Sequence, residues 1–135
     1  MNCIDIALLP GISSIDLKNL KSLGINTNLA LLERTIDQQR QEELALKMGV
    51  NLKNILKWMA LADLSRLKSV GNQYCGLIMH SGILSCRQLS QASVPKLHRQ
   101  IIRLQIATLS HKKLNPPLPL VKTWVKEAEE LGIRN

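Results

Sequence analysis

Two short stretches of the chain mix small and apolar residues so that backbone amides are left open: Pro10-Gly11-Ile12-Ser13 and Ser69-Val70-Gly71-Asn72. A turn of this kind just ahead of a helix points consecutive N–H groups at one spot, and the helix dipole adds positive potential there. The chemistry served is the binding of a phosphate oxygen, not the breaking of a bond. A cation one turn away adds charge. Lys18 and Lys21 stand near the first turn, and Arg66 and Lys68 near the second. Such turns also serve simply to pack helices, and both readings stay open at this point.

No other residue set promises catalysis. Cys75, His80, Cys86, His98 and His111 show no metal-ligand spacing. Asp63 is the only carboxylate close to the basic region, and the serines have no histidine and acid partner at a readable spacing. A nucleotide-binding phosphate loop is missing from the sequence. The expectation is a protein that is not an enzyme and uses no cofactor and no metal. Trp58 and Trp124 lie beside Leu/Ile stripes, which assigns them to the core, not to base stacking.

Charge says more. The chain has 135 residues and a net charge of +8, spread unevenly. Residues 1–63 carry seven basic and seven acidic side chains. Between Asp63 and Glu127 there is no acid, but Arg66, Lys68, Arg87, Lys96, Arg99, Arg103, Lys112, Lys113, Lys122 and Lys126 all fall there. A neutral half joined to a basic half implies an anionic partner. Arg87, Lys96, Arg99, Arg103, Lys112 and Lys113 are expected to form one electropositive surface. Three cysteines, Cys3, Cys75 and Cys86, make an odd count without a CxxC pair, which fits a reducing cytoplasm and no disulfide scaffold. Neither a signal peptide nor an apolar run of membrane-spanning length is evident.

The elements that must position these residues are helical. Phe is absent, Leu and Ile dominate, and β-branched runs are few. A short helix is expected over Ile4–Leu9. A second follows a cap at Ser13 or Ser14, carries Leu17, Leu20 and Leu23, and stops at Gly24. Thr27 caps a third. A polar stretch, Arg34 to Gln41, opens a helix with Leu44, Leu46 and Met48 that Gly49 closes. Asn51 caps a longer one with Leu52, Ile55, Leu56, Met59 and Ala62 on one stripe. A helix capped by Ser93 carries Leu97, Ile101, Leu104 and Ile106, with Lys96, Arg99 and Arg103 on one face. His111–Pro119 reads as a proline-containing loop, and Leu120–Leu131 as a last helix closed by Gly132.

A shift of 58 residues, without gaps, lays the first unit on a second: Gly24-Ile25 on Gly82-Ile83, Ile12 on Val70, Leu20 on Ile78, Thr27 on Ser85 and Leu31 on Leu89. Each unit runs helix, tight turn, helix, and resembles the helix-hairpin-helix motif, whose turn is apolar-Gly-apolar-Gly. Each copy keeps one of the two glycines; Ser13 stands for the second in copy one and Ser69 for the first in copy two. From Leu8 to Leu131 the chain also resembles a bacterial domain-of-unknown-function family made of two such units joined by a helical middle. The landmarks are Leu9-Pro10-Gly11-Ile12, Leu23-Gly24-Ile25, Ile55-Leu56-Lys57-Trp58, Ala62-Asp63-Leu64, Val70-Gly71, Ser81-Gly82-Ile83 and Val121-Lys122-Thr123-Trp124. Within the middle, Ala45, Gly49 and Ile55 resemble a DNA-binding helix-turn-helix that would present Asn51, Lys53, Asn54 and Lys57 to a groove.

The expected architecture is therefore all-α and a single compact domain over 1–135. It comprises a first unit over 4–34, a helical linker over 35–65, a second unit over 66–92 and C-terminal helices over 93–135. The expected function is non-sequence-specific binding of duplex nucleic acid, with the amides of Gly11, Ile12, Ser13, Ser69, Val70, Gly71 and Asn72 on phosphates. The alternative is an adaptor that docks an acidic protein through the basic half.

Overall fold

The computed structural model describes residues 1–107 and 115–134. It is built from α1 (Ser14–Ser22), α2 (Asn28–Arg34), α3 (Gln38–Met48), α4 (Leu52–Leu64), α5 (Gly71–His80), α6 (Cys86–Ser90), α7 (Val94–Ala107) and α8 (Leu118–Arg134), preceded by a 3-10 turn at Ile6–Leu8. The described residues contain no strand; their one β-type contact is an isolated bridge between Asp5 and Thr27.

Local chemistry sets the helix boundaries. Ser13, Thr27, Asp37 and Ser85 each accept a bond from the amide three residues on, and Asn51 from the amide two residues on. Gly49 ends α3 in the left-handed region at φ 66°. Gly24 and Gly82 lie past α1 and α5 at φ 81° and 103°. Where four expectations differ, the reason is physical. The first helix shrinks to a 3-10 turn because Asp5 caps it at Ala7 and Leu9 is already extended. On α4 the buried line runs through Ile55, Trp58, Leu61 and Ala62, which turns Leu56 out to 46% exposure. Leu46 and Ile106 likewise stand in solvent at 86% and 68%. The last helix begins at Leu118, takes Pro119 in its first turn, where proline is tolerated, and runs through Gly132.

Around α4 pack α2, α3 and α5, while α8 lies against α6 and α7. Buried side chains from Ile6 to Ala128 form one apolar cluster, with Trp124, Leu20, Ile25, Leu31, Leu64, Ile78, Leu89 and Ile101 among the most enclosed. Tyr74 and Trp124 meet at 5.0 Å between ring centres.

Hydrogen bonds recur at the offset of 58. Leu8 N–H to Asp5 O matches Arg66 N–H to Asp63 O, and Leu9 to Ile6 matches Leu67 to Leu64. At the far ends, Ile25 N–H to Leu20 O matches Ile83 to Ile78, and Gly24 to Lys21 matches Gly82 to Met79. The caps at Thr27 and Ser85 correspond as well. The entries to α1 and α5 do not. Gly11 takes the positive φ (78°) in the first, whereas Gly71 (51°), which falls on Ser13, takes it in the second.

The deepest polar group is Asn28, with no exposed surface. Its amide donates to Asn2 O and Ser65 Oγ, both at 2.9 Å, and its Oδ1 accepts from Ile4 and Leu29 N–H. The N-terminal segment, α2 and the end of α4 are joined through this one side chain.

Candidate phosphate-binding turns and cationic face

The first turn leaves Leu9 extended, reverses at Pro10-Gly11 and enters α1 with Ile12 buried beneath it. Gly11 is exposed, and a Cβ placed on it would lie 3.9 Å from Nζ of Lys57. The α4 lysine thus holds its ammonium over the turn. Pro10 leans on α5, where a Cβ on Gly76 would come within 3.1 Å of the proline ring. Ser13 is spent as the cap of α1: its hydroxyl accepts from Asp16 N–H and donates to the Asp16 carboxylate. Lys21 pairs with Asp5 at 3.1 Å. The Ala7 amide and then this lysine hold the Asp5 carboxyl below the ordinary carboxylate range. Lys18 is exposed and has no ion pair among the described residues.

The second turn is closed differently. Val70 and Gly71 both donate to Leu67 O, at 3.1 and 2.9 Å. Ser69 donates its N–H to Glu127 Oε1 at 3.0 Å and its hydroxyl to Glu127 Oε2, while Trp124 Nε1 donates to Ser69 O at 3.1 Å. The amides of Ser69, Val70 and Gly71, expected to meet phosphate, are therefore already in internal bonds. Asn72 is exposed in the first turn of α5, which has no side-chain cap. Arg66, expected as a phosphate contact, is tied to Asp63 at 2.6 Å, with both side chains largely enclosed. Lys68 is exposed beside it.

Arg87 on α6 and Lys96, Arg99 and Arg103 on α7 are exposed. The three α7 cations stand across the helix from the buried Leu97 and Ile101. Lys122 and Lys126 are exposed on α8. The ion pairs among the described residues involve only Lys21, Arg40 and Arg66, so the cations from Lys68 to Lys126 are unpaired within them. His111, Lys112 and Lys113 lie outside the described residues.

In the middle segment Ala45 and Ile55 are buried, Gly49 makes the turn, and Asn51 caps α4, leaving Lys53, Asn54 and Lys57 exposed. Cys75 and Cys86 are buried, and burial pushes their thiols up to about 11 and about 12. Cys86 N–H donates to Asp63 Oδ2 at 2.8 Å. Among the described residues no group of three or more His, Cys, Asp or Glu is placed to hold a metal, and no helix is long and apolar enough to cross a membrane. Two contacts at the candidate turns have no signature in the sequence, Lys57 over Gly11 and Glu127 on Ser69. Each joins residues roughly fifty apart or more through tertiary packing.

The model of the family described as Domain of unknown function (DUF4332) matches residues 10–131, so the chain belongs to that family. No curated protein and no solved structure matches it.

Proposed function

We propose that this family member is a non-enzymatic module that grips nucleic-acid phosphates without reading sequence, through two helix-hairpin-helix units fused across a helical linker. The observation that carries the reading is a set of free cations: Lys68, Arg87, Lys96, Arg99 and Arg103 are exposed and have no ion pair among the described residues. Cations free of internal partners release counterions when they meet a phosphate backbone, which supplies affinity without base contacts. The Gly11 turn, with Lys57 above it and the exposed Lys18 on the helix that follows, adds a directed contact. The matched bonds at Gly24 and Gly82 support the two-unit organisation.

Fluorescence anisotropy on labelled duplexes of unrelated sequence tests this. All should bind alike, and the logarithm of affinity should fall linearly with that of salt. Changing Lys96, Arg99 and Arg103 together to Gln should flatten that slope by up to about 2.7, at about 0.9 per lost phosphate contact. An unchanged slope, or no binding at low salt, refutes the reading.

One observation favours a second reading, an adaptor for an acidic protein. The Ser69 turn takes a carboxylate, that of Glu127. Pull-downs with and without nuclease separate the two: loss of partners after digestion supports nucleic acid, and retention supports the adaptor.

A further inference from the structure

We infer that the Ser69 turn is an oxyanion receptor which the chain fills with its own Glu127, so that α8 competes with an external phosphate for that seat. The inference rests on the phosphate-binding reading and adds a built-in competitor to it.

The contact is two-pronged. One carboxylate oxygen takes the Ser69 N–H at 3.0 Å and the other takes the Ser69 hydroxyl. Two donors converging on two oxygens of one anion is a geometry that a phosphate fits as well as a carboxylate. Glu127 bonds the amide of Ser69, two residues ahead of the first residue of α5, and the N-cap residue Val70 makes no side-chain cap bond of its own. The charge of Glu127 is not matched by a neighbour: no ion pair to it exists among the described residues, because Arg66 is committed to Asp63. Lys68 and Arg66 line the same surface groove as Glu127 and Glu130.

A carboxylate held by two neutral donors beside an unpaired lysine is exchangeable for an anion of higher charge, which gains Lys68 on arrival. Only the Glu127 side chain has to move. Trp124, one helical turn away, is wholly buried and donates to Ser69 O, so α8 and the turn stay in register while the seat changes occupant. The two donors are thus aligned before any phosphate arrives, and in the resting chain they are masked.

The test uses inorganic phosphate on the isotope-labelled full chain and follows the Ser69 amide resonance. In Glu127→Ala the resonance should move saturably, at a phosphate concentration about tenfold below that needed in the unaltered protein, which corresponds to about 1.4 kcal/mol. Glu127→Gln keeps an acceptor for the Ser69 amide while removing the charge, and should shift in the same direction should the alanine variant fail to fold. Glu130→Gln changes the same net charge in the same groove without touching Ser69, and should leave the midpoint within about twofold of the unaltered protein.

Equal phosphate response in Glu127→Ala, Glu130→Gln and the unaltered chain overturns the inference, as does a Ser69 amide that does not respond at all. A duplex titration runs beside it. Phosphate binding at Ser69 without duplex binding by any variant sinks the nucleic-acid reading and leaves the receptor. Duplex binding that Glu127→Ala fails to strengthen, with no phosphate response at Ser69, sinks the receptor and leaves the nucleic-acid reading.

Discussion

Removing the Asn28 side chain should cost about 3 to 4 kcal/mol of folding stability. Asn28→Ala deletes two donated bonds, to Asn2 O and Ser65 Oγ, and two accepted ones, from Ile4 and Leu29 N–H. Ser65 keeps its own bond to Ala62 O at 2.8 Å, and Leu29 sits at the start of α2, where solvent is near. Ile4 N–H and Asn2 O are the groups stranded. An orphaned buried group costs about 1 to 3 kcal/mol and each lost net bond about 1. For a chain of this length, at about 2.1 cal/mol/K per residue, the loss corresponds to a Tm lower by about 10 to 14 °C. Urea unfolding followed by tryptophan fluorescence and far-ultraviolet dichroism measures it, since Trp58 and Trp124 are both enclosed. Asn28→Asp keeps the acceptor, loses both donors and turns a carboxylate toward Asn2 O, so it should cost at least as much. A loss below about 1 kcal/mol for the alanine variant, with an unchanged denaturant slope, refutes the idea that this side chain clamps three segments.

Two further outcomes follow from local chemistry. Cys75 and Cys86 are raised from 9.0 to about 11 and about 12 by burial, so between those values the folded chain holds protons that the unfolded chain releases. Stability should be full below about pH 9 and fall above it by up to about 2.7 kcal/mol per pH unit for two thiols; urea midpoints at mildly and strongly alkaline pH should converge for Cys75→Ala/Cys86→Ala if the thiols are responsible. Gly24→Ala and Gly82→Ala meet no atom within 4 Å but must hold φ at 81° and 103°, so each should lose about 1 kcal/mol by thermal unfolding. Gly132→Ala, in helix with equally open space, should be neutral or stabilising, and the same sign at all three sites would refute the strain argument.

What could be read from the sequence was whatever a few neighbouring residues decide. Caps at Thr27 and Asn51, and stops at Gly24 and Gly49, depend on one side chain or one φ, and they stand where the spacing puts them; Ser13 takes the cap that the sequence leaves open between it and Ser14. Stripe rotation was less legible. Leu56 and Trp58 compete for the same side of α4, and only the positions of α2, α3 and α5 decide that the indole goes in. Glycine so often ends a helix that Gly132 reads as a stop, yet the helix runs through it without a positive φ. The site was the least legible part. Its small residues and cations were visible, but nothing near Ser69 announces a carboxylate from α8, and nothing near Arg66 marks it as already spoken for by Asp63.

The stretch from Ser65 to Gly71 is held by residues far upstream and far downstream of it. Asn2 donates its N–H to Arg66 O and its side-chain amide to Ser65 O, across 63 residues in the second case, while α8 returns to Ser69 across 55 and 58. During synthesis, therefore, this turn emerges with its upstream partner already made and its downstream partner still untranslated. Closing such distances adds little to the loop entropy for each doubling of length, but contacts this remote form late. Until α8 arrives, Ser69 offers its N–H and hydroxyl to whatever anion is at hand, and the growing chain passes through a stage in which its second turn is unlatched by necessity.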